Sequence, residues 1–416
     1  MYSKEQLKEI IVSQKEAIDS QDIGLIRTDY LKLLKESIHP KIVTILKGPR
    51  RVGKSTIVLQ FIKEINNNYY YFDFDDERIA NFKTGDFETL MLAFQELYQD
   101  KDYLLFDEIQ NIDSWELFIN RQLKQNKKII ITGSNSKLLS ADLGTHLTGR
   151  HIDIEIFPFS FKEYLYAKDF KTKQAYTIKE KAELEKLFKD YQKTGGFPQV
   201  VFFYDYRILQ ELYRDIIEKD TKDLKSNQKI KDVSDYLLFN ISTLVSLRSI
   251  QKNFGLKNTN EAKAIIKRLE ATYLFQFIEI YSNSYKERKA NPMKCYSIDV
   301  GLVNNISTKL VEDRGQQFEN LVYLKLRKEN AQIYYYKKKG ETDFIVIDNK
   351  KPILVAQACS NLADNKTKER EVSSLLECMD QLNIKVGIII NKDLEKEETI
   401  DGKRIKFIPI INWLLE

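Results

Sequence analysis

Gly48, Gly53, Lys54 and Ser55 stand in the run GPRRVGKST with the spacing of a Walker A motif. Its two glycines let the backbone turn its N–H groups inward around phosphate oxygens. A helix that opens near Lys54 adds the positive end of its dipole. Lys54 is expected at the β and γ phosphates, and the Ser55 hydroxyl on Mg2+. The candidate ATP-binding segment is therefore Gly48, Pro49, Arg50, Arg51, Val52, Gly53, Lys54, Ser55 and Thr56. A second run, Tyr103-Leu104-Leu105-Phe106-Asp107-Glu108, reads as a Walker B motif. Its apolar residues form a buried strand that carries Asp107 to the carboxyl edge of a sheet, where open α/β folds bind ligands. Asp107 is the candidate Mg2+ ligand and Glu108 the base that polarises the attacking water. A glutamate directly after that aspartate suits hydrolysis, which a module that only holds nucleotide does not need. The strand Lys128 to Thr132 ends in Gly133-Ser134-Asn135, placing hydroxyl and amide groups at the same edge. Ser134, with Asn135 beside it, is the candidate sensor of the γ-phosphate.

The elements that must hold these groups alternate. Strands are expected at residues 42–46, 69–74, 103–106, 128–132 and 150–157, with helices at 56–66, 87–98 and 115–125 between the first four. Strand–helix alternation argues for a parallel sheet covered on both faces. Two amphipathic helices precede it, the second carrying Tyr30, Leu31, Leu33, Leu34 and Ile38 and ending at His39-Pro40. Beyond it, residues 160–225 read as helical, broken at Thr194-Gly195-Gly196-Phe197-Pro198, and the charged stretch 222–232 reads as a linker. Helices at 233–247, 249–254 and 259–273, then strands at 274–281 and 294–298, have the layout of a winged helix-turn-helix. A smaller α/β unit closes the chain, with helices at 316–328 and 366–382 and strands at 333–336, 342–347, 353–358, 386–391 and 405–409.

Composition narrows the alternatives. The chain has 416 residues, 43% apolar and 31% charged, too long for one core and typical of a globular protein. A net charge of +5 permits an acidic partner without demanding one, so any case for nucleic acid rests on local patches. Three scattered cysteines and three histidines support neither a disulfide framework nor a zinc site. The N-terminal helix has no apolar signal-peptide core, and no apolar run is long enough to span a bilayer. A cytoplasmic location with no membrane partner is the expectation.

GPRRVGKST, LLFDEIQN, ITGSNSKLLS, LTGR, FPFSFKEYL and the Gly-Gly-Phe-Pro, followed by KCYSIDVGL, GQQFENLVYLKL and Gly340-Glu341-Thr342-Asp343-Phe344, together resemble a large prokaryotic, archaeal-type group of AAA+ ATPases with a C-terminal domain of unknown function. The resemblance covers nearly the whole chain. It implies an α/β P-loop NTPase (AAA+) core with a helical lid, a winged helix-turn-helix and a restriction-endonuclease-like C-terminal α/β domain. The corresponding boundaries are 1–35 for the N-terminal helices, 36–165 for the core, 166–228 for the lid, 229–298 for the winged helix and 299–416 for the last domain. It also suggests Arg150 as an arginine finger, supplied by a neighbouring copy in a homo-oligomer.

The last domain resembles the PD-(D/E)xK nuclease fold, whose active members need a helical glutamate, an aspartate and then Glu-x-Lys. Glu319 and Asp343 fill the first two positions, but the third reads Gln357-Ala358-Cys359. Glutamine offers Mg2+ only a neutral oxygen, and cysteine cannot replace an ammonium. The domain is expected to be inactive as a nuclease and kept for binding DNA, a protein partner or the ATPase module, although Glu341 beside Asp343 keeps an ATP-regulated nuclease as an alternative. Lys263, Lys267 and Arg268 share one face of the presumed recognition helix, with Arg248 and Lys252 before it and Lys337-Lys338-Lys339 as a separate basic tip. The function expected overall is Mg2+-dependent ATP hydrolysis driving change in the appended DNA- or protein-binding domains. The alternative outside enzymology is a nucleotide-gated switch with negligible turnover.

Overall fold

Two units divide the chain, Met1–Phe157 and Pro158–Glu416. The computed structural model describes residues 1–133, 147–219, 227–307, 314–329 and 332–416.

In the first unit, α1 (Lys4–Ser20) and α2 (Thr28–Ser37) lead into β1 (Val43–Lys47) and α3 (Lys54–Ile62). The chain continues through β2 (Tyr69–Asp73), α4 (Asp86–Tyr98), β3 (Tyr103–Asp107), α5 (Trp115–Lys124), β4 (Lys128–Gly133) and β5 (His151–Glu155). The strands form one sheet in the order β2-β3-β4-β1-β5, every pairing parallel. Alternation along each strand divides the side chains between two layers. Leu104, Phe106, Ile129 and Ile131 join Phe72, Phe87, Phe94 and Phe118 on one face. Leu105 and Ile130 join Tyr30, Leu34, Val58 and Phe61 on the other. Full burial of such a side chain is worth about 1.5–3 kcal/mol, so the sheet is fixed from both sides and its carboxyl edge is a stiff platform. The N-terminal helices belong to this core: Leu7, Ile10 and Ile11 of α1 lie in the first layer. A capping box between Ser3 and Gln6 starts α1. Helix α3 begins at Lys54, as the Walker A spacing requires, because Gly53, at φ +94°, turns the chain directly into it.

The second unit opens with helices α6 (Phe161–Ala167), α7 (Ile178–Thr194), α8 (Pro198–Phe203) and α9 (Arg207–Lys219). There follow α10 (Asn227–Phe239), β6 (Leu244–Val245), α11 (Leu247–Asn253), α12 (Thr259–Ala271), β7 (Phe275–Ile278), α13 (Tyr285–Ala290) and β8 (Met293–Ser297). Strands β6, β8 and β7 form a three-stranded antiparallel sheet in that order. The helix expected over residues 233–247 stops at Phe239. Ser242 takes φ +56°, and Ser246 caps the next helix through a capping box with Ser249, which leaves Leu244–Val245 free to pair with β8.

The chain ends with α14 (Val300–Ile306), α15 (Arg314–Glu329), β9 (Gln332–Lys337), β10 (Glu341–Asp348), β11 (Lys351–Ala358), α16 (Asn365–Leu382), β12 (Val386–Asn391), β13 (Lys396–Ile400), β14 (Lys403–Pro409) and α17 (Ile410–Leu415). Its six strands make a mixed sheet in the order β13-β14-β12-β11-β10-β9. β13 and α17 had no expected counterpart: the charged run KEETI alternates too weakly to announce a strand.

Two motifs that carried the family resemblance meet in this unit. Asp299 is buried and accepts hydrogen bonds from the N–H groups of Gly196 (2.6 Å), Gly301 (2.8 Å) and Leu302 (3.3 Å). It thereby caps α14 and ties that helix to the turn after α7. A Cβ on Gly195, at φ +69°, would fall 1.9 Å from an Asp299 carboxylate oxygen, so only glycine fits. The Gly-Gly-Phe-Pro and Asp-Val-Gly-Leu segments thus form one structural clamp.

Candidate functional site

The phosphate loop runs from the end of β1 to the start of α3. Gly48, at φ +150°, sits so close to the neighbouring chain that a Cβ there would lie 2.4 Å from the Ile156 carbonyl oxygen. Pro49 and Val52 are buried, Arg50 is half-buried, and Arg51 is exposed at φ +62°. The Val52 carbonyl accepts a hydrogen bond (3.3 Å) from Arg27, a buried residue ahead of α2. Lys54 is buried, and its ammonium donates to the carbonyl oxygens of Gly48 (3.1 Å) and Pro49 (3.0 Å). Its charge is therefore held inside the loop by the loop's own backbone.

The acids stand beside it. Asp107, the last residue of β3, is buried and accepts hydrogen bonds from the hydroxyls of Thr132 and, at 3.3 Å, of Tyr71, with the Ser55 hydroxyl near enough to favour its charged form. Glu108 follows in the left-handed conformation at φ +49°, which turns it out of the strand direction. Its N–H donates to the Thr132 hydroxyl (3.3 Å), and its carboxylate accepts from the Gln110 side chain. Parallel register places Asp73, at the end of β2, opposite Asp107.

Burial, then the neighbouring Glu108, raises the Asp107 pKa, while the Ser55 and Thr132 hydroxyls and Lys54 pull it down less strongly. Burial, then Asp107, pushes Asp73 up to about 7. Acids that hold up one another's pKa values form a set that a divalent cation stabilises. The donors also suit Mg2+, a hard ion that takes one or two protein oxygens and completes its shell with water and phosphate; Ser55 and Asp107 could supply those two. Among the described residues no group of three or more His, Cys, Asp or Glu side chains is arranged to hold a metal unaided.

Of the sequence-expected site residues, the loop, Lys54, Ser55, Asp107 and Glu108 come together at this edge. Arg150 does not. It precedes β5, its carbonyl accepts the N–H of Val43 at the start of β1, and its guanidinium donates to Asn120 (2.9 Å). It lies at the amino edge of the sheet, one strand length or about 16 Å from the phosphate edge, so it cannot meet a γ-phosphate bound to its own chain. Ser134 and Asn135 lie outside the described residues. Three contributors were missed from sequence: Thr132, Asp73 and Tyr71. The signal for two was register: Asp73 ends β2 and Thr132 stands one residue before the end of β4, both beside Asp107 at the end of β3.

A family model described as an AAA domain matches residues 40–165, and a model for a domain of unknown function (DUF8612) matches residues 185–313. The chain is 32% identical over 400 residues to the uncharacterized protein MJ1544 of Methanocaldococcus jannaschii, covering 90% of this chain and 89% of that protein. It is 29% identical over 409 residues to an uncharacterized protein of Haemophilus influenzae, covering 94% and 98%. Among solved structures, the Walker-type ATPase PABY2304 of Pyrococcus abyssi matches with a TM-score of 0.41 and 16% identity, over 68% of this chain and 95% of that one.

Proposed function

Because the chain belongs to the family of Methanocaldococcus jannaschii MJ1544 and carries an AAA domain, we propose that it is a magnesium-dependent ATP hydrolase of the AAA+ type. The observation that carries this reading is the meeting of Lys54, Ser55, Asp107, Glu108 and Thr132 at one edge of a parallel sheet. The loop from Gly48 to Thr56 grips the triphosphate, Lys54 turns from its own carbonyls to the β and γ oxygens, and Ser55 and Asp107 hold Mg2+. The ion neutralises charge on the phosphate oxygens. Glu108 accepts the proton of the attacking water, with Gln110 and Thr132 fixing its direction. Arg150 acts, if at the phosphate, from a second copy of the chain.

Glu108→Gln tests the chemistry. Turnover should fall by roughly a hundredfold or more while nucleotide binding survives, because a general base contributes on that scale. Unchanged slow turnover in both proteins would leave a nucleotide-gated switch instead. Lys54→Ala should abolish retention of ATP in magnesium buffer.

For the appended regions we read residues 166–228 as the lid and 229–298 as a winged helix that meets duplex DNA. The support is the β6-β8-β7 sheet beside three helices, with Arg248, Lys252, Lys263 and Lys267 exposed on α11 and α12. Duplex DNA should stimulate ATP turnover, and higher salt should remove the stimulation. A rate indifferent to DNA would direct attention to a protein partner.

A further inference from the structure

Glu319 of α15 and Glu341 and Asp343 of β10 bring three carboxylates together in the second unit, and a lysine lies among them. Lys294 belongs to β8, in the three-stranded sheet, and its side chain is 3% exposed. Its ammonium lies 3.1 Å from Glu319 Oε1, 2.9 Å from Glu341 Oε1 and 2.8 Å from Asp343 Oδ1. An ammonium has three N–H bonds to donate, and here three carboxylate oxygens surround it.

Two of the three remaining oxygens are engaged as well, and the Glu319 oxygen that meets Lys294 has a second partner. Asp343 Oδ2 accepts the Ala358 N–H (2.9 Å), Glu341 Oε2 pairs with Lys337 (3.0 Å), and Glu319 Oε1 also accepts from the Tyr296 hydroxyl (2.7 Å). Gln357, at the position where a nuclease would place its third acid, faces inward on other business. Its amide donates to Glu371 (2.5 Å) and its oxygen accepts the Asp343 N–H (3.1 Å). The Cys359 thiol donates to the Asn361 carbonyl. Burial works against the charge on Lys294, but Asp343, Glu319 and Glu341 outweigh it and hold its pKa well above the usual lysine value. The ammonium is thus a permanent occupant.

A divalent ion bound by the same oxygens would stand about 2.0–2.6 Å from each of them, in the space Lys294 fills. We propose that Lys294 is the built-in cation of this carboxylate cluster, taking the place of a metal ion and pinning the three-stranded sheet to α15 and β10. The residues do not fit a metal, so the C-terminal region works metal-free, as a binding and scaffolding element and not as a metal-dependent nuclease. This inference is independent of the ATPase reading, which concerns the first unit.

The test is Mn2+ binding to the full-length, nucleotide-free protein, followed by electron paramagnetic resonance, alongside melting curves. Wild type and Asp343→Asn should bind Mn2+ alike, and millimolar Mn2+ should not move the wild-type transition of the second unit. Lys294→Met should gain one Mn2+ equivalent, lose it again when Asp343→Asn is added, and melt at a temperature that rises with Mn2+. A wild-type Mn2+ site that Asp343→Asn abolishes would overturn the proposal, as would a folded Lys294→Met that acquires none. If Lys294→Met fails to fold, the comparison of wild type with Asp343→Asn still decides.

Discussion

Replacing Thr132 with valine removes one hydroxyl from the acid pair and leaves the shape of the side chain almost unchanged. That hydroxyl donates to Asp107 and accepts the Glu108 N–H at 3.3 Å, and the residue is 1% exposed. A hydrogen bond to a charged group contributes about 1.5–3 kcal/mol net, and a long one from a backbone N–H about 0.5–1.5 kcal/mol. Water cannot reach the site easily to replace either, so the loss is on the order of 2–4 kcal/mol. If the charged bond serves mainly to aim Asp107 and Glu108, its share appears in the chemical step. At 1.36 kcal/mol per tenfold, turnover should then drop about ten- to a hundredfold. The assay is steady-state ATP turnover at saturating Mg2+, run beside binding of a fluorescent nucleotide and denaturant unfolding of the same preparations. Thr132→Val should keep its affinity within a few-fold, lose turnover and unfold earlier; Thr132→Ser, which restores the hydroxyl, should recover most of both losses. A folded Thr132→Val with wild-type turnover and an unshifted midpoint would refute the idea that this hydroxyl organises the acids.

Two further outcomes are expected in the second unit. Asp299→Ala leaves the N–H groups of Gly196, Gly301 and Leu302 without their acceptor and uncaps α14, so its unfolding free energy should fall by about 3 kcal/mol, with Asp299→Asn intermediate; denaturant titration checks this. Burial, then Asp343, pushes Glu319 up to about 8 in spite of Lys294, against 4.5 for an ordinary glutamate, so near neutral pH Glu319 meets the ammonium largely as a neutral acid while Asp343 and Glu341 carry the countercharge. The folded state therefore keeps a proton that the unfolded chain releases. The stability this gives is complete below pH 4.5 and is lost as pH rises through 8, at no more than about 1.4 kcal/mol per pH unit. Glu319→Gln should flatten that slope in unfolding curves taken across the window.

What the sequence made legible follows from how each residue does its work. Gly48, Gly53, Lys54 and Ser55 act through local backbone geometry, so their spacing alone announces the loop, and the apolar run before Asp107 announces the strand that carries it. Thr132 and Asp73 act through register between strands far apart in the chain. Nothing in IIITG or YYYFD marks the last polar residue as a partner of Asp107 until the order β2-β3-β4 is known. Arg150 needs the register too: Leu-Thr-Gly-Arg follows the phosphate-site strands in sequence, but parallel pairing puts it at the amino edge before β5 begins, so a finger role for it requires a neighbouring copy, as the resemblance implied. The Gly-Gly-Phe-Pro and Asp-Val-Gly-Leu motifs stood out as strongly as the phosphate loop because tight backbone approach constrains residue type whether or not chemistry follows. Lys294 was invisible for the reason that makes it informative. In a chain with 66 lysines and arginines, one more basic residue in a strand draws no notice, yet a buried ammonium must be fully paired to be tolerated. Its three carboxylates come from two later elements, and only the fold brings them within reach. Motifs that close on themselves can be read from the chain, whereas groups whose charge is balanced across elements emerge only once the sheets are assembled.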